Sequence, residues 1–240
     1  MTLMDTIKNE LKNHIDEEKA AYLPRFFQAY PGGYGEGDEF LGVTVPNQRK
    51  VAKKYYREAS LKEIEKLLQD PIHECRLTAL FMMTYKYEKA RDEGTKEAII
   101  ACYLKNLTYV NNWDLVDSSA YKLLGPHLEN SDRDLLYELA VSDSLWDNRI
   151  AIITTLHFIR NHDFEDTLKL AEILLEHPHD LIHKATGWML REVGKRDIKL
   201  LRDFLDRYCE IMPRTMLRYA IEKLELEERK RYMEGNLGFE

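Results

Sequence analysis

The chain has 240 residues, 44% of them apolar, and a formal net charge of −7, so a packed interior is well supplied. The longest uninterrupted apolar run, 98–104, is too short to cross a membrane, and the charged N-terminal segment lacks the apolar centre of a signal peptide. Cys75, Cys102 and Cys209 show no metal-ligand spacing, which is typical of buried thiols in a reducing compartment. We therefore expect a cytoplasmic protein without membrane association.

Apolar residues recur at three- and four-residue spacing along almost the whole chain, which predicts helices. We predict them over 3–18, 19–30, 46–58, 61–69, 72–89, 92–105, 113–124, 132–141, 145–161, 163–176, 179–193, 197–208, 213–222 and 225–232. Ser60 with Glu63 forms a capping box, and Gly194 stands where a C-terminal cap is expected. No segment alternates in the manner of a strand, so no sheet is predicted.

The glycine-rich stretch 31–38 is predicted to be a surface loop. It follows no strand and does not end in lysine followed by serine or threonine, so both nucleotide-binding signatures fail.

Similar segments recur at almost equal spacing in the chain. They begin at Arg76, Asn112, Arg149, Lys184 and Arg218, which are 36, 37, 35 and 34 residues apart. Each opens with a polar residue and continues with apolar residues at helical spacing. A period of this length with two helices per unit is typical of an α-solenoid, in which equivalent positions stack along one face. We predict an all-α solenoid forming one domain over 1–232, followed by a tail over 233–240.

Trp113, Asp117, Arg149 and Trp188 share one phase of this repeat. Taken singly, each has a simpler interpretation: the tryptophans as core, Asp117 as a helix-face charge, and Arg149 in a salt bridge between repeats. Their shared phase instead favours a site, because packing alone does not require two indoles, a carboxylate and a guanidinium on one ridge. Such a set suits a cationic ligand attached to a sugar.

The acidic net charge argues mildly against a nucleic-acid partner unless basic residues gather on one surface. Such residues do cluster on three predicted helices, and their coincidence with the repeat favours a basic strip over ordinary solvated helix faces. The candidate DNA-binding residues are Arg49, Lys50, Lys53, Lys184, Arg191, Lys195, Arg214 and Arg218.

Histidines near position 180 have a spacing that metal ions can use. His179 and His183 are four residues apart, with Asp180 between them. Without a further evident ligand, a polar helix start is the preferred interpretation, and we predict neither a metal nor a cofactor.

Three segments, 112–118 (NWDLVDS), 147–151 (DNRIA) and 184–192 (KATGWMLRE), resemble the AlkD-type DNA alkylation repair glycosylases. Segment 40–49 (FLGVTVPNQR) is similar to that family's N-terminal signature, and the resemblance spans roughly 20–222. It implies a HEAT-like solenoid that cups duplex DNA in a concave face and excises 7-methylguanine and 3-methyladenine. It also implies that lesions are cleaved while they remain stacked.

Carried over by position, the resemblance implies that Asp117 is catalytic, that Trp113 and Trp188 pack against the damaged nucleotide, and that Arg149 contacts the DNA backbone. The chain departs from some members in having Asn112 where a second tryptophan can occur, a longer loop over 31–39, and an acidic net charge.

Loss of an already cationic base needs no general acid, but positive charge develops on the sugar and favours a nearby carboxylate. Together with this chemistry, the resemblance implies a monofunctional glycosylase whose partner is alkylated duplex DNA, and we expect a monomer. Two alternatives are a non-catalytic solenoid that recognises DNA damage or structure, and a protein-binding HEAT scaffold.

Overall fold

The computed structural model describes residues 2–234, which are mostly helical, with one isolated bridge between Glu39 and Ile72. The prediction of an all-α fold is confirmed. The helices are α1 (Leu3–Lys12), α2 (Glu17–Phe26), α3 (Val45–Tyr55), α4 (Leu61–Leu68), α5 (His73–Lys89), α6 (Glu93–Lys105), a 3₁₀ turn (Leu107–Tyr109), α7 (Trp113–Leu128), α8 (Asp134–Ala140), α9 (Leu145–Thr154), α10 (Leu156–Arg160), α11 (Glu165–Ile173), α12 (Asp180–Gly194), α13 (Ile198–Tyr208), α14 (Arg214–Ala220) and α15 (Leu226–Glu234). Within the described range, no helix is both long and apolar enough to span a bilayer.

The chain forms two compact units, an N-terminal unit (Met1–Ser119) and a C-terminal unit (Ala120–Glu240), and the boundary lies inside α7. In the N-terminal unit, α3 and α4 both pack on α5, while α1 packs on α3 and α4. The interior of this unit includes the buried side chains of Leu80, Phe81 and Tyr103.

In the C-terminal unit, α12 lies between α9 and α14 and also packs on α11 and α13. The repeat openings Arg149, Lys184 and Arg218 fall on α9, α12 and α14. Each opening therefore belongs to the first helix of a pair, as the spacing predicts. The predicted tail over 233–240 begins inside α15, and residues 235–240 lie outside the described range.

Two predicted helix boundaries are wrong for local reasons. The predicted helix 145–161 is divided between Thr154 and Leu156, because the hydroxyls of Thr154 and Thr155 donate hydrogen bonds to the carbonyls of Ile150 and Ile152. The first predicted helix ends at Lys12 rather than at 18, since Asp16 caps α2 by accepting a hydrogen bond from the Lys19 amide.

Gly194 does not provide the left-handed cap that its position predicts. It is the last residue of α12, and the capping residue Lys195 is itself right-handed, with φ −67°. A Cβ on Gly194 would lie 2.3 Å from Leu201 Cδ2, so the glycine permits close packing of α13. The Ser60–Glu63 capping box is confirmed, and all three cysteines are free and buried, as expected.

Candidate functional site

The N-terminal unit contains a cavity of about 550 Å³ beside the start of α7, which we call the aromatic cavity. Its lining includes aromatic, apolar and acidic side chains from α2, α3, α5, α7 and the segment before α3. The lining residues are Lys19, Leu23, Phe26, Phe27, Phe40, Val43, Thr44, Val45, Pro46, Gln48, His73, Glu74, Leu77, Trp113, Asp114, Asp117 and Ser118. Its solvent-exposed members are Lys19, Phe26, Val45 and Pro46.

Trp113 and Asp117 both line the aromatic cavity. They are the first and fifth residues of α7, so one helical turn brings them to the same face, as their spacing predicts. Asp114 and Ser118 lie on that face as well. The first turn of α7 thus places an indole and two carboxylates at one cavity.

Phenylalanine rings extend the Trp113 indole into a continuous aromatic wall. The Phe27 ring lies 5.3 Å from Trp113, with an interplanar angle of 26°, and 5.4 Å from Phe40 at 8°. Phe26 meets Trp113 edge to face at 5.8 Å. Because Phe27 is buried between these rings, it fixes the plane of the indole.

Asn112 ties the start of α7 to this wall. Its carboxamide oxygen accepts a hydrogen bond from the Trp113 amide at 2.9 Å, and its nitrogen donates to the Phe27 carbonyl at 3.5 Å. Asn112 is completely buried, so both groups would otherwise lack solvent partners. Asn112 therefore anchors Trp113 to the aromatic wall.

His73 lies beneath the wall, bridged between two carboxylates. Its Nδ1 is 2.9 Å from Asp38 and its Nε2 is 2.8 Å from Asp114, and the ring stacks on Phe27 and Phe40. Burial alone would lower the pKa of His73, but the charge and hydrogen bond of Asp114, with the hydrogen bond of Asp38, raise that pKa to about 9. At neutral pH both ring nitrogens therefore donate.

Two further buried charges hold the cavity rim. The Arg76 guanidinium lies 2.5 Å from the second oxygen of Asp38, and so completes the support of His73. The Glu74 carboxylate accepts hydrogen bonds from the backbone amides of Leu41, Gly42 and Val43. Since these amides belong to the segment before α3, Glu74 fixes one wall of the cavity to α5.

The other two predicted site residues belong to the C-terminal unit. Arg149, on α9, is only 5% exposed and donates to the Leu181 carbonyl at 2.6 Å. Trp188, on α12, is half-buried, and its side chain interacts with the Glu192 carboxylate. Because α9 packs on α12 within this unit, the Leu181 bond connects the two helices that carry Arg149 and Trp188.

A family model described as DNA alkylation repair enzyme matches residues 7–224, which is most of the chain. The chain belongs to this DNA alkylation repair enzyme family. A solved structure described as a predicted DNA alkylation repair enzyme from Enterococcus faecalis shares the fold, with a TM-score of 0.70 and 17% identity. The alignment covers 89% of this chain and 98% of that one. No curated protein matches the sequence.

In this family member, the candidate DNA-binding residues of the N-terminal unit lie on α3. Lys50 and Lys53 are exposed on α3, whereas the Arg49 guanidinium lies 3.9 Å above the Phe81 ring. The Arg49 side chain is therefore partly committed to packing.

In the C-terminal unit, several candidate DNA-binding residues have acidic neighbours. Lys184 pairs with Asp180 at 2.6 Å, Lys195 pairs with Glu192 at 2.5 Å, and Arg191 pairs with Glu222. Of the remaining two, Arg214 donates to the Met233 carbonyl and Arg218 to the Thr215 hydroxyl. The basic strip predicted from sequence is thus locally neutralised on α12, and its role in DNA binding stays a prediction.

The histidines at the start of α12 are engaged in capping and loop contacts. His179 accepts a hydrogen bond from the Leu181 amide and caps the helix, while His183 bonds to the His177 carbonyl. Within residues 2–234, no group of three His, Cys, Asp or Glu side chains is arranged to hold a metal ion.

Sequence patterns did not reveal the support beneath Trp113. Asp38, His73 and Asp114 are separated by 35 and 41 residues, so only the folded chain brings them together. Nor did the sequence patterns single out the adjacent pair Phe26–Phe27, or Gln48, which lies two residues after Pro46. An aromatic pair at the end of a helix was the available signal, although it does not distinguish a cavity wall from core.

Proposed function

We propose that this family member is a monofunctional DNA glycosylase that releases cationic N-alkylated purines, chiefly 7-methylguanine and 3-methyladenine, from duplex DNA. The observation that carries the proposal is that Trp113 and Asp117 line one aromatic cavity. An aromatic wall beside carboxylates is suited to a group that is both flat and positively charged.

In the proposed reaction the glycosidic bond between deoxyribose C1′ and the purine nitrogen breaks. The bonding electrons leave with the base and neutralise its positive charge, so no proton needs to be supplied. The Asp117 carboxylate stabilises the positive charge that develops on the sugar and orients a water molecule. Water oxygen bonds to C1′, and its proton passes through the carboxylate to solvent. No metal or cofactor takes part.

Trp113 contributes an electron-rich face to the cationic nucleotide, worth about 0.5–2 kcal/mol. Phe27 and Asn112 hold that face in place through stacking and hydrogen bonding. In the C-terminal unit, we assign Trp188 to a nucleotide contact and Arg149 to a backbone phosphate. The exposed Lys50 and Lys53 supply further phosphate contacts, which are sequence-independent.

Release of free base from a duplex containing one 7-methylguanine, measured by mass spectrometry, tests the proposal. Retention of the protein on a duplex column at low salt is measured in parallel. Base release supports the glycosylase. Binding without release would identify a non-catalytic reader of DNA damage, and the absence of both would favour a protein-binding scaffold.

A further inference from the structure

Two contacts restrain Trp188 on α12. At the preceding residue, Gly187, a Cβ would lie 2.4 Å from the Met216 carbonyl oxygen, so the backbone of α12 packs directly against α14. Four residues after Trp188, on the same face of the helix, the Glu192 carboxylate accepts a hydrogen bond from the Trp188 side chain. The half-buried indole therefore has a fixed point of attachment and a second contact that sets the direction of its N–H group.

Glu192 is itself held in place by two basic residues. Its carboxylate oxygens accept hydrogen bonds from Lys195 at 2.5 Å and from Arg196 at 3.2 Å, and its side chain is only 14% exposed. Burial alone would raise the pKa of Glu192, but the hydrogen bond and charge of Lys195, with the hydrogen bonds of Arg196 and Trp188, hold that pKa below its usual range. Because an ionised carboxylate is a stronger acceptor than a neutral one, the bond to the indole is charge-assisted.

We propose that Glu192 is a positioning residue, which orients the Trp188 indole for its contact with the nucleotide, and that Lys195 acts by holding Glu192. This inference rests on the proposed glycosylase function. A carboxylate on the indole N–H also polarises the ring, and so strengthens the attraction between the ring face and a cationic nucleotide. Lys195, a DNA-binding candidate from its position in the sequence, is thereby reassigned from phosphate contact to support of Trp188.

Substitutions at Glu192 test the proposal. Glu192→Ala removes the acceptor, whereas Glu192→Gln keeps a carbonyl oxygen for the indole N–H. In single-turnover excision of 7-methylguanine at saturating protein, Glu192→Ala should be slower by about 3- to 30-fold, the range of one aromatic contact to a cation. Glu192→Gln should recover to within about threefold of the wild-type rate. Affinity for unmodified duplex should not fall in either variant, which places the loss in the rate at saturation.

Glu165→Ala is the matched control for Glu192→Ala. Glu165 lies on α11 of the same unit and accepts a hydrogen bond from Lys169 at 2.5 Å, but its side chain is 73% exposed. Since Glu165 resembles Glu192 only in its pairing with a lysine, the variant should excise 7-methylguanine at the wild-type rate.

Lys195→Ala separates support of Glu192 from direct contact with DNA. Lys195 is exposed, so the variant should fold, and it should slow excision in the same direction as Glu192→Ala. The double variant should be no slower than Glu192→Ala alone, because both residues act through one bond. The slope of the logarithm of the duplex binding constant against the logarithm of the salt concentration should stay at its wild-type value. A slope that becomes shallower by about one would return Lys195 to phosphate contact and overturn its reassignment.

The orientation of the indole can be measured without catalysis. The chain has three tryptophans, so isotope-labelled tryptophan gives a separate indole N–H signal in the NMR spectrum for each, and Trp188→Phe identifies the signal of Trp188. Glu192→Ala should move this proton signal upfield, because a hydrogen bond to a carboxylate is lost. Glu192→Gln should restore most of the shift, and Glu165→Ala should leave the signal in place.

The two proposals fail in different ways. Wild-type excision by a folded Glu192→Ala, or a Trp188 signal that does not move in it, would overturn positioning and leave the glycosylase standing. A Trp188 signal that Glu192 controls, in a wild type that releases no base, would support the orientation of Trp188 and overturn the glycosylase. An unmoved signal in a protein that releases no base would overturn both.

Discussion

The Nε2 atom of His73 lies 2.8 Å from the Asp114 carboxylate, one residue after Trp113 and three before Asp117. This bond fixes the first turn of α7 to α5 by a charged contact in the interior. Because Asp38 holds the other ring nitrogen, the imidazole has no freedom to turn away. The orientation of both candidate site residues on α7 therefore depends on a buried histidine that the sequence did not single out.

Alkaline pH should destabilise the protein through His73. Its pKa is raised to about 9 in the folded protein from an ordinary value of about 6.5, so the stabilisation is complete below pH 6.5 and is lost as pH rises through 9. The pKa shift corresponds to a decrease in the free energy of unfolding on the order of 3 kcal/mol. Urea unfolding at pH 6 and pH 10 measures this difference. In His73→Gln, which has no imidazole to titrate, the dependence over this range should largely disappear.

Gly42→Ala should destabilise the N-terminal unit. Gly42 has φ +81°, and a Cβ there would lie 2.1 Å from the Asp16 carbonyl oxygen. Backbone strain and steric overlap with Asp16 would therefore both destabilise the variant. We expect a loss of about 3 kcal/mol or more. Gly37→Ala is the matched control, since Gly37 has φ +88° with open space around it, and it should cost about 1–2 kcal/mol. Equal losses in the two variants would show that contact with Asp16 is unimportant.

Asn112→Ala should loosen Trp113 as well as lower stability. The variant leaves the Trp113 amide and the Phe27 carbonyl without their buried partner, at a cost of about 1–3 kcal/mol. Near-ultraviolet circular dichroism should show a weaker tryptophan signal. Asn47→Ala provides the comparison, because the Asn47 side chain accepts a long 3.5 Å contact from the exposed Lys50, and the variant's stability should stay within about 0.5 kcal/mol of the wild type.

Arg149→Ala should weaken binding to every duplex. The slope of the logarithm of the binding constant against the logarithm of the salt concentration should become shallower by about one, as expected for the loss of one phosphate contact. The bond to the Leu181 carbonyl adds a stability loss of about 1–3 kcal/mol. Duplex binding at several salt concentrations, together with urea unfolding, separates these effects. A lower stability with an unchanged slope would assign Arg149 to anchoring α12 alone.

Periodic patterns in the sequence predicted the helical fold well. The spacing of apolar residues indicates each helix, and the recurrence near 36 residues indicates pairs of helices such as α9 with α11. Local hydroxyl bonding at Thr154 and Thr155 divided one helix in a way that spacing does not reveal. Trp113 and Asp117 were predicted to share a face because one helical turn separates them. The support from Asp38, His73 and Asp114 could not be predicted, since it arises from contacts between distant segments.

The central claim is that the Asp117 carboxylate acts on the sugar when the base departs. Single-turnover release of 7-methylguanine from duplex DNA, with wild type and Asp117→Asn at saturating protein, tests it most directly. We predict that the variant binds the duplex with unchanged affinity and releases base about 10²–10³-fold more slowly, the loss typical of one electrostatic contact to a transition state. Wild-type rates in a correctly folded Asp117→Asn would contradict the mechanism.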